Sequence, residues 1–162
     1  MEDRYLFRGK RIDNGEWETG SLVALPDGKF EIANKCIDPQ DSDPMWRKCV
    51  IIHNVDPSTI CQCTGLKDKN GNLIWENDFL MCHGNPEDLV KAVFGEFNVI
   101  NTETLEVIDR VIGWHYEVVT TDALSKCEPF CLSMPLIEEY VKRCKMEVVD
   151  NLEFLKGSHD EA

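Results

Sequence analysis

Short apolar stretches and turn-forming residues alternate along this chain of 162 residues. Gly, Asn and Asp recur about every ten residues between stretches rich in Val, Ile, Phe and Trp, which is typical of antiparallel strands. Residues 29–34 alternate apolar and polar side chains, as expected for a strand with one face in water. The pattern predicts strands over residues 5–12, 17–25, 29–34, 50–52, 60–66, 89–101, 105–121 and 147–149.

Turn residues organise the beginning of the chain into hairpins. Asn14 and Gly15 readily adopt the positive φ of a tight turn, and residues 26–28 (Pro-Asp-Gly) form a second turn signal. We therefore expect hairpins within residues 1–35. Residues 36–46 contain two prolines and three aspartates, and because proline cannot donate to a sheet ladder, they are predicted to form a surface loop.

Two later segments differ from this alternation. Residues 50–52 are continuously apolar, which predicts a buried strand. In residues 136–146, a helix would place Leu136, Tyr140 and Cys144 on one face. A strand is equally compatible with that segment, so both interpretations stay open.

The segment at residues 64–80 has the most specific pattern. Its Asp68-Lys69-Asn70-Gly71 run predicts a turn between two strands. We expect the Asp68 side chain to accept hydrogen bonds from backbone N–H groups two or three residues on, while Asn70 and Gly71 supply positive φ. Such a turn fixes the pairing register of its two strands, so the segment is predicted to be a hairpin.

The same segment resembles the signature of the YopX-like proteins of phages and prophages. Residues 64–71 match the family's Thr-Gly-Leu-Lys-Asp-Lys-Asn-Gly run throughout, and residues 74–80 occupy the apolar, acidic and strand positions that follow it. Asn77 stands where the family has glycine, and asparagine is among the commonest non-glycine residues at positive φ. Flanking similarity is found at residues 7–10, 14–17, 20–22, 148–151 and 153–155.

The resemblance implies a mainly β fold. It implies antiparallel strands with a partly SH3-like barrel core at about residues 60–150 and at most one or two short helices. One domain would span residues 1–156, followed by a flexible tail at 157–162. The motif residues would have structural roles, and they are Thr64, Gly65, Leu66, Asp68, Asn70, Gly71, Glu76 and Asp78.

The resemblance implies little about activity, because members of this family have no established biochemical function. We expect a non-catalytic module, encoded by a phage or prophage, that binds a protein partner or associates with itself as a homo-oligomer. The chain has no phosphate-binding glycine loop, serine elbow or zinc-protease His-Glu pair, so an enzyme is the less favoured alternative and no cofactor is expected. It also lacks the roughly 20 consecutive apolar residues of a membrane helix, so we expect a location in the bacterial cytoplasm.

Charge is distributed unevenly along the chain. The formal net charge is −13. Residues 1–50 carry 8 basic and 10 acidic side chains, which leaves 9 basic and 20 acidic side chains, a net −11, for residues 51–162. Such a field repels phosphate backbones, so direct nucleic-acid binding is disfavoured, whereas a basic partner would be attracted. The alternative function is therefore an acidic inhibitor that mimics nucleic acid and blocks a host DNA-binding protein.

Cysteine and histidine residues raise the question of a metal site. Cys61 and Cys63 would share one face of a strand, and Cys127 and Cys131 have a spacing found in zinc sites. The spacings form no second matching pair, and in a reducing compartment thiols behave as small buried hydrophobes. Free thiols are therefore favoured, with disulfides among the eight cysteines or a zinc site as the alternatives. Three histidines are available as further ligands: His53, His83 and His115.

A calcium loop is not expected at the turn. In that motif glycine is sixth, and the first and twelfth residues carry carboxylates. Placing Gly71 sixth puts Leu66 first and Asn77 twelfth, and neither carries a carboxylate.

Aromatic residues offer two further interpretations. They could line a groove for an extended peptide, or they could belong to the core and its rim. The residues concerned are Trp17, Trp46, Trp75, Trp114 and Tyr116.

Overall fold

The computed structural model describes residues 3–36, 49–120 and 132–149. These residues form two antiparallel sheets and one α-helix, which confirms the prediction of a mainly β protein. The strands are β1 (Phe7–Lys10), β2 (Trp17–Ala24), β3 (Phe30–Cys36), β4 (Cys49–Val55), β5 (Cys61–Lys67), β6 (Leu73–Trp75), β7 (Phe79–Met81), β8 (Leu89–Ile100), β9 (Val107–Thr120), β10 (Met134–Pro135) and β11 (Glu147–Val148). The helix is α1 (Glu138–Arg143), and short 3-10 turns lie at Asp3–Tyr5 and Pro57–Thr59.

The chain divides into two compact units, Met1–Gly65 and Leu66–Ala162. In the first unit, β1 to β4 form a meander, and β5 pairs with the free side of β1. The predicted first hairpin is confirmed, with Phe7 opposite Gly20. Its turn uses positive φ at Gly15 (72°) but not at Asn14, because one glycine is sufficient to reverse this chain.

Close packing of β2 against β3 requires glycine at position 20. A Cβ atom at Gly20 would lie 2.3 Å from the carbonyl oxygen of Ala33 on the paired strand. The neighbouring Ile32 is fully buried, as is Val55 at the end of β4.

The prediction of a buried strand at residues 50–52 is wrong in one respect. These residues do lie in a strand, β4, but their side chains are exposed. β4 is the edge strand of its sheet: residues 50–52 pair with β3 on one side, and only the end of β4, at Val55, also bridges to Arg11. An apolar run therefore marks a strand here without marking burial, because sequence pattern does not reveal whether a strand is central or at an edge.

In the second unit, five strands form a sheet in the order β10-β9-β8-β7-β11. The β8–β9 hairpin is its longest element, with Leu89 opposite Thr120 and Ile100 opposite Val107. β6 pairs with β5, whose last two residues belong to this unit. The core of the unit consists of Ile74, Leu80, Cys82, Val90, Ala92, Leu136, Val141 and Met146.

The structure decides the open question at residues 136–146 in favour of a helix for part of the segment. α1 covers six residues, and Val141 is its buried residue. Leu136 is also buried, whereas Tyr140 and Cys144 are half-buried, so the predicted face points inward in part.

Four predictions reach beyond these observations. Most of the loop at residues 36–46 and the whole tail at 157–162 lie outside the described residues. The single domain at 1–156 and the SH3-like barrel stay predictions, since the described strands form open sheets. Among the described residues, no helix is long and apolar enough to cross a membrane.

Candidate functional site

The Asp68 side chain is the centre of the motif hairpin. Its Oδ1 accepts hydrogen bonds from the backbone N–H groups of Asn70 and Asn72, both at 2.9 Å. Its Oδ2 accepts from the backbone N–H of Val148 at 3.0 Å and from the side-chain amide of Asn72 at 3.3 Å. The carboxylate is buried and joins its own turn to strand β11.

Electrostatics agree with this geometry. Burial raises the pKa of Asp68, but the hydrogen bonds from Val148, Asn72 and Asn70 outweigh burial and hold that pKa below its usual value. Each of these N–H donors stabilises the charged form.

Lys69 strengthens the same connection from the next position. Its backbone N–H donates to the carbonyl oxygen of Met146 at 3.0 Å, and its ammonium group pairs with Glu147 at 2.5 Å. The Asn70 side chain also donates to Glu147, at 3.1 Å. The hairpin turn therefore holds the strand that follows α1.

The predicted turn angle is found at Gly71 but not at Asn70. Gly71 has a φ of 85°, whereas Asn70 is not at positive φ. Two backbone hydrogen bonds close the turn that begins at Asp68. The N–H of Gly71 donates to the carbonyl oxygen of Asp68, and the N–H of Asp68 donates to the carbonyl oxygen of Asn72. One residue at positive φ suffices, because the Asp68 carboxylate orients the other turn residues by accepting from the N–H groups of Asn70 and Asn72.

A second turn joins β6 to β7 and uses Asn77, whose φ is 67°. This left-handed conformation explains why asparagine can replace the family's glycine at this position. The carboxylate of Asp78 is buried and accepts a hydrogen bond from the backbone N–H of Trp75 at 2.8 Å. Glu76 is half-buried in the same turn.

The start of the motif lies on β5. Thr64 is buried, and Gly65 has a φ of 80°. A Cβ atom at Gly65 would lie 3.2 Å from the Cβ atom of Arg4, within the first unit. Leu66 packs against the core of the second unit.

Four cysteines whose side chains the structure describes are free thiols. Cys61, Cys63 and Cys82 are buried and Cys144 is half-buried. Among the described residues, no three His, Cys, Asp or Glu side chains are grouped so as to hold a metal ion. Cys127 and Cys131 lie outside the described residues.

The three histidines have separate surroundings. His53 lies beside Glu18 in the first unit, with Nδ1 and Oε2 3.0 Å apart. His115 is buried and stacks on Phe97, with ring centroids 4.8 Å apart. His83 is exposed at the mouth of a cavity in the second unit.

The β8–β9 hairpin presents an apolar surface that the sequence did not single out. Phe94 lies opposite Trp114, and their rings meet edge to face with centroids 5.1 Å apart. Ile112, two residues from Trp114 on the same face, is 69% exposed, and Phe94 is 48% exposed. Nearer the hairpin tip, Val107 and Ile108 are 58% and 67% exposed.

Within the part of the chain that the structure describes, the edges of the hairpin are also largely unpaired. β8 pairs with β7 over Leu89–Lys91, and β9 pairs with β10 at His115 and Tyr116. Between these points and the tip, the described residues supply no further strand to the hairpin. We name the exposed apolar side chains Phe94, Val107, Ile108 and Ile112 the hairpin surface.

The second unit also contains a cavity of about 620 Å³, which we name the tyrosine cavity. Of the described aromatic residues considered as a groove, only Tyr116 lines it. Trp75 is buried, Trp17 is exposed and Trp114 packs against the core, whereas Trp46 lies outside the described residues. Sequence reasoning missed the other lining residues, because they come from separate elements and form no local motif. They include His83, Thr102, Tyr140, Arg143 and Cys144.

Comparison with known proteins gives one match. Residues 6–132, more than three quarters of the chain, match the family model described as YopX protein. No curated protein and no solved structure matches the chain at a significant level.

Proposed function

Because this chain belongs to the YopX protein family, we propose that it is a phage-type, non-catalytic protein-interaction module. It binds its partner through the hairpin surface. The partner is a protein that presents an apolar patch rimmed by basic side chains.

The exposure of the hairpin surface is the observation that carries this proposal. Isolated exposed apolar residues are ordinary, but adjacent ones on a two-stranded ribbon are uncommon. Such a ribbon is at best marginally stable by itself, and unpaired strand edges with exposed apolar side chains tend to acquire a partner. A partner that covers Ile112 and Phe94 would bury the exposed apolar side chains and shield the unpaired strand edges.

The charge of the partner follows from the residues around this surface. The same hairpin carries five exposed acidic side chains and one exposed basic one. The basic residue, Arg110, is paired with Glu96 at 2.6 Å. A second copy of the chain would bring like charges together, whereas a basic rim would complement them. The acidic residues are Glu96, Glu103, Glu106, Asp109 and Glu117.

A second candidate function uses the charge without the apolar surface. The net charge of −13 favours an acidic inhibitor that occupies the nucleic-acid site of a host protein. The two candidates differ in their dependence on salt. Binding by charge alone weakens steeply as salt rises, whereas an apolar contact persists.

The experiment has two steps and uses the full chain. Proteins captured from a bacterial lysate are identified, and the binding of each purified candidate is then measured by calorimetry at low and high salt. We expect Ile112→Lys and Phe94→Ala to weaken binding by about tenfold or more, as for central apolar residues of an interface.

Ile12→Lys is the matched control, because Ile12 is 65% exposed, lies in the first unit and undergoes the same change of charge. The control should bind like the wild type. If Ile112→Lys binds the partner as tightly as the control does, the hairpin surface is not the interface. If sizing shows a stable oligomer that only Ile112→Lys dissociates, the partner is a second copy and the basic-partner proposal is wrong.

A further inference from the structure

We propose that the tyrosine cavity binds a small molecule that combines a planar ring with an anionic group. This site is separate from the hairpin surface and goes beyond the interaction function. A volume of about 620 Å³ falls within the range of small-molecule sites. The assignment of ligand chemistry rests on the charge, the hydrogen-bond donors and the rings of the cavity wall.

Arg143 supplies the cationic group of the cavity. Its guanidinium group lies over the ring of Tyr140, 4.5 Å from the ring centroid, and this stacking restricts its orientation. A guanidinium group held in this way presents a planar fork of N–H donors that suits carboxylate and phosphate oxygens.

The remaining charge of the wall favours an anion as well. Among the described residues, none that lines the cavity carries a carboxylate, although the chain holds 30 acidic and only 17 basic side chains. Asp88 acts electrostatically on Cys82 and Cys144 but does not itself line the cavity. The part of the wall that the structure describes therefore offers an entering anion Arg143 and no carboxylate.

The neutral polar groups are donors. Burial raises the pKa of Tyr116, so its phenol keeps its proton. Burial also raises the pKa of Cys144, although the nearby Arg143 opposes that effect, so this thiol is protonated at neutral pH. Thr102 adds a hydroxyl group from the tip of the β8–β9 hairpin. These groups can all donate to anionic oxygens.

The rings of Tyr116, Tyr140 and His83 favour a planar ligand, because aromatic faces stack on one another and on bases. His83 has a φ of 54°, an unusual angle for a residue other than glycine. Its backbone N–H donates to the carbonyl oxygen of Cys144 at 2.8 Å, so the loop that carries His83 is tied to the end of α1.

The experiment measures binding to the full chain by calorimetry and by nuclear magnetic resonance. The probes are adenosine 5′-monophosphate, benzoate, adenosine and inorganic phosphate. We expect adenosine monophosphate or benzoate to bind with a Kd of about 1 mM or below. The first result would assign a phosphate and the second a carboxylate as the anionic group. Adenosine, which lacks the anion, should bind about tenfold more weakly.

Arg143→Gln should weaken binding of the preferred probe about tenfold. Arg143→Lys should weaken binding less, because lysine keeps the positive charge but lacks the planar fork of N–H donors. Arg110→Gln is the matched control, since Arg110 is an exposed arginine on the hairpin, and it should leave the Kd unchanged. An unchanged thermal midpoint shows that each variant is folded. The proposal is overturned if neither ringed anion binds, if Arg143→Gln binds normally, or if phosphate alone binds as tightly as the ringed probes.

Discussion

At the scale of single residues, Asp68 makes the most informative contacts in the protein. The Asp68 turn was expected from sequence, and the hydrogen bond from Asn70 confirms it. The hydrogen bond from Val148, 80 residues away, was not expected, because only the folded chain brings that N–H group to the carboxylate. One side chain therefore closes a local turn and anchors a distant strand.

Replacing Asp68 with asparagine should destabilise the protein by about 1–3 kcal/mol, the cost of leaving buried hydrogen-bonding groups unsatisfied. The amide oxygen can still accept from Asn70 and Asn72. The amide NH₂ group, however, would face the N–H of Val148, and two donors repel one another. Chemical denaturation of wild type and variant at neutral pH measures the difference.

The destabilisation caused by Asp68→Asn should also depend on pH. The pKa of Asp68 is lowered in the folded state, so its contribution is complete above the unfolded value of about 3.9 and is lost as the pH falls through the folded value. The difference between wild type and Asp68→Asn should therefore narrow below about pH 4. Asp27→Asn is the control, because Asp27 accepts a similar hydrogen bond from Lys29 but is exposed. If Asp68→Asn and Asp27→Asn lose the same free energy of unfolding, the hydrogen bond from Val148 to Asp68 does not stabilise the fold.

At the scale of elements, the helix α1 illustrates how packing selects between two patterns. The sequence of residues 136–146 suited a helix or a strand. The observed helix has Glu138 and Glu139 in its first turn and Lys142 and Arg143 in its last, which favours a helix through its dipole. Six residues are too few for a helix that is stable alone, so α1 depends on the burial of Val141 in the core.

Val141→Ala should lower the free energy of unfolding by about 1–3 kcal/mol, through lost burial and a residual cavity. Ile137→Ala is the matched control, because Ile137 precedes the helix and is 41% exposed. Its effect should be clearly smaller. Denaturant titration followed by far-ultraviolet circular dichroism measures both variants. If the two substitutions cost the same, α1 is not held by Val141.

At the scale of the whole molecule, high net charge coexists with exposed apolar side chains. The net charge of −13 opposes association between copies of the chain at neutral pH. This repulsion counteracts the tendency of the exposed hairpin surface to associate. This balance should fail where the net charge vanishes, near the isoelectric point of about 4.6.

We expect light scattering to increase sharply as the pH is lowered from neutral to about 4.6. Ile112→Lys should reduce this increase more than Ile12→Lys does, because both variants change the charge equally but only the first interrupts the hairpin surface. Dynamic light scattering across this pH range provides the measurement. Equal scattering by the two variants would mean that association near the isoelectric point occurs elsewhere on the protein.

The sequence by itself determined the mainly β character, most strands and the principal turns of this protein. It did so because the φ preferences of Gly15, Gly71 and Asn77 and the hydrogen bonds of Asp68 act within a few residues. Such preferences are present in any short segment, whatever the rest of the chain does.

Only the tertiary structure decided which surfaces are exposed and which distant groups meet. It placed β4 at a sheet edge, brought Val148 to Asp68, and lined one cavity with Tyr116 and Arg143. Each of these outcomes depends on the pairing of segments far apart in sequence. Apolar periodicity indicates which side chains can be buried, but the partner that buries them, or leaves them exposed, is chosen by the whole fold.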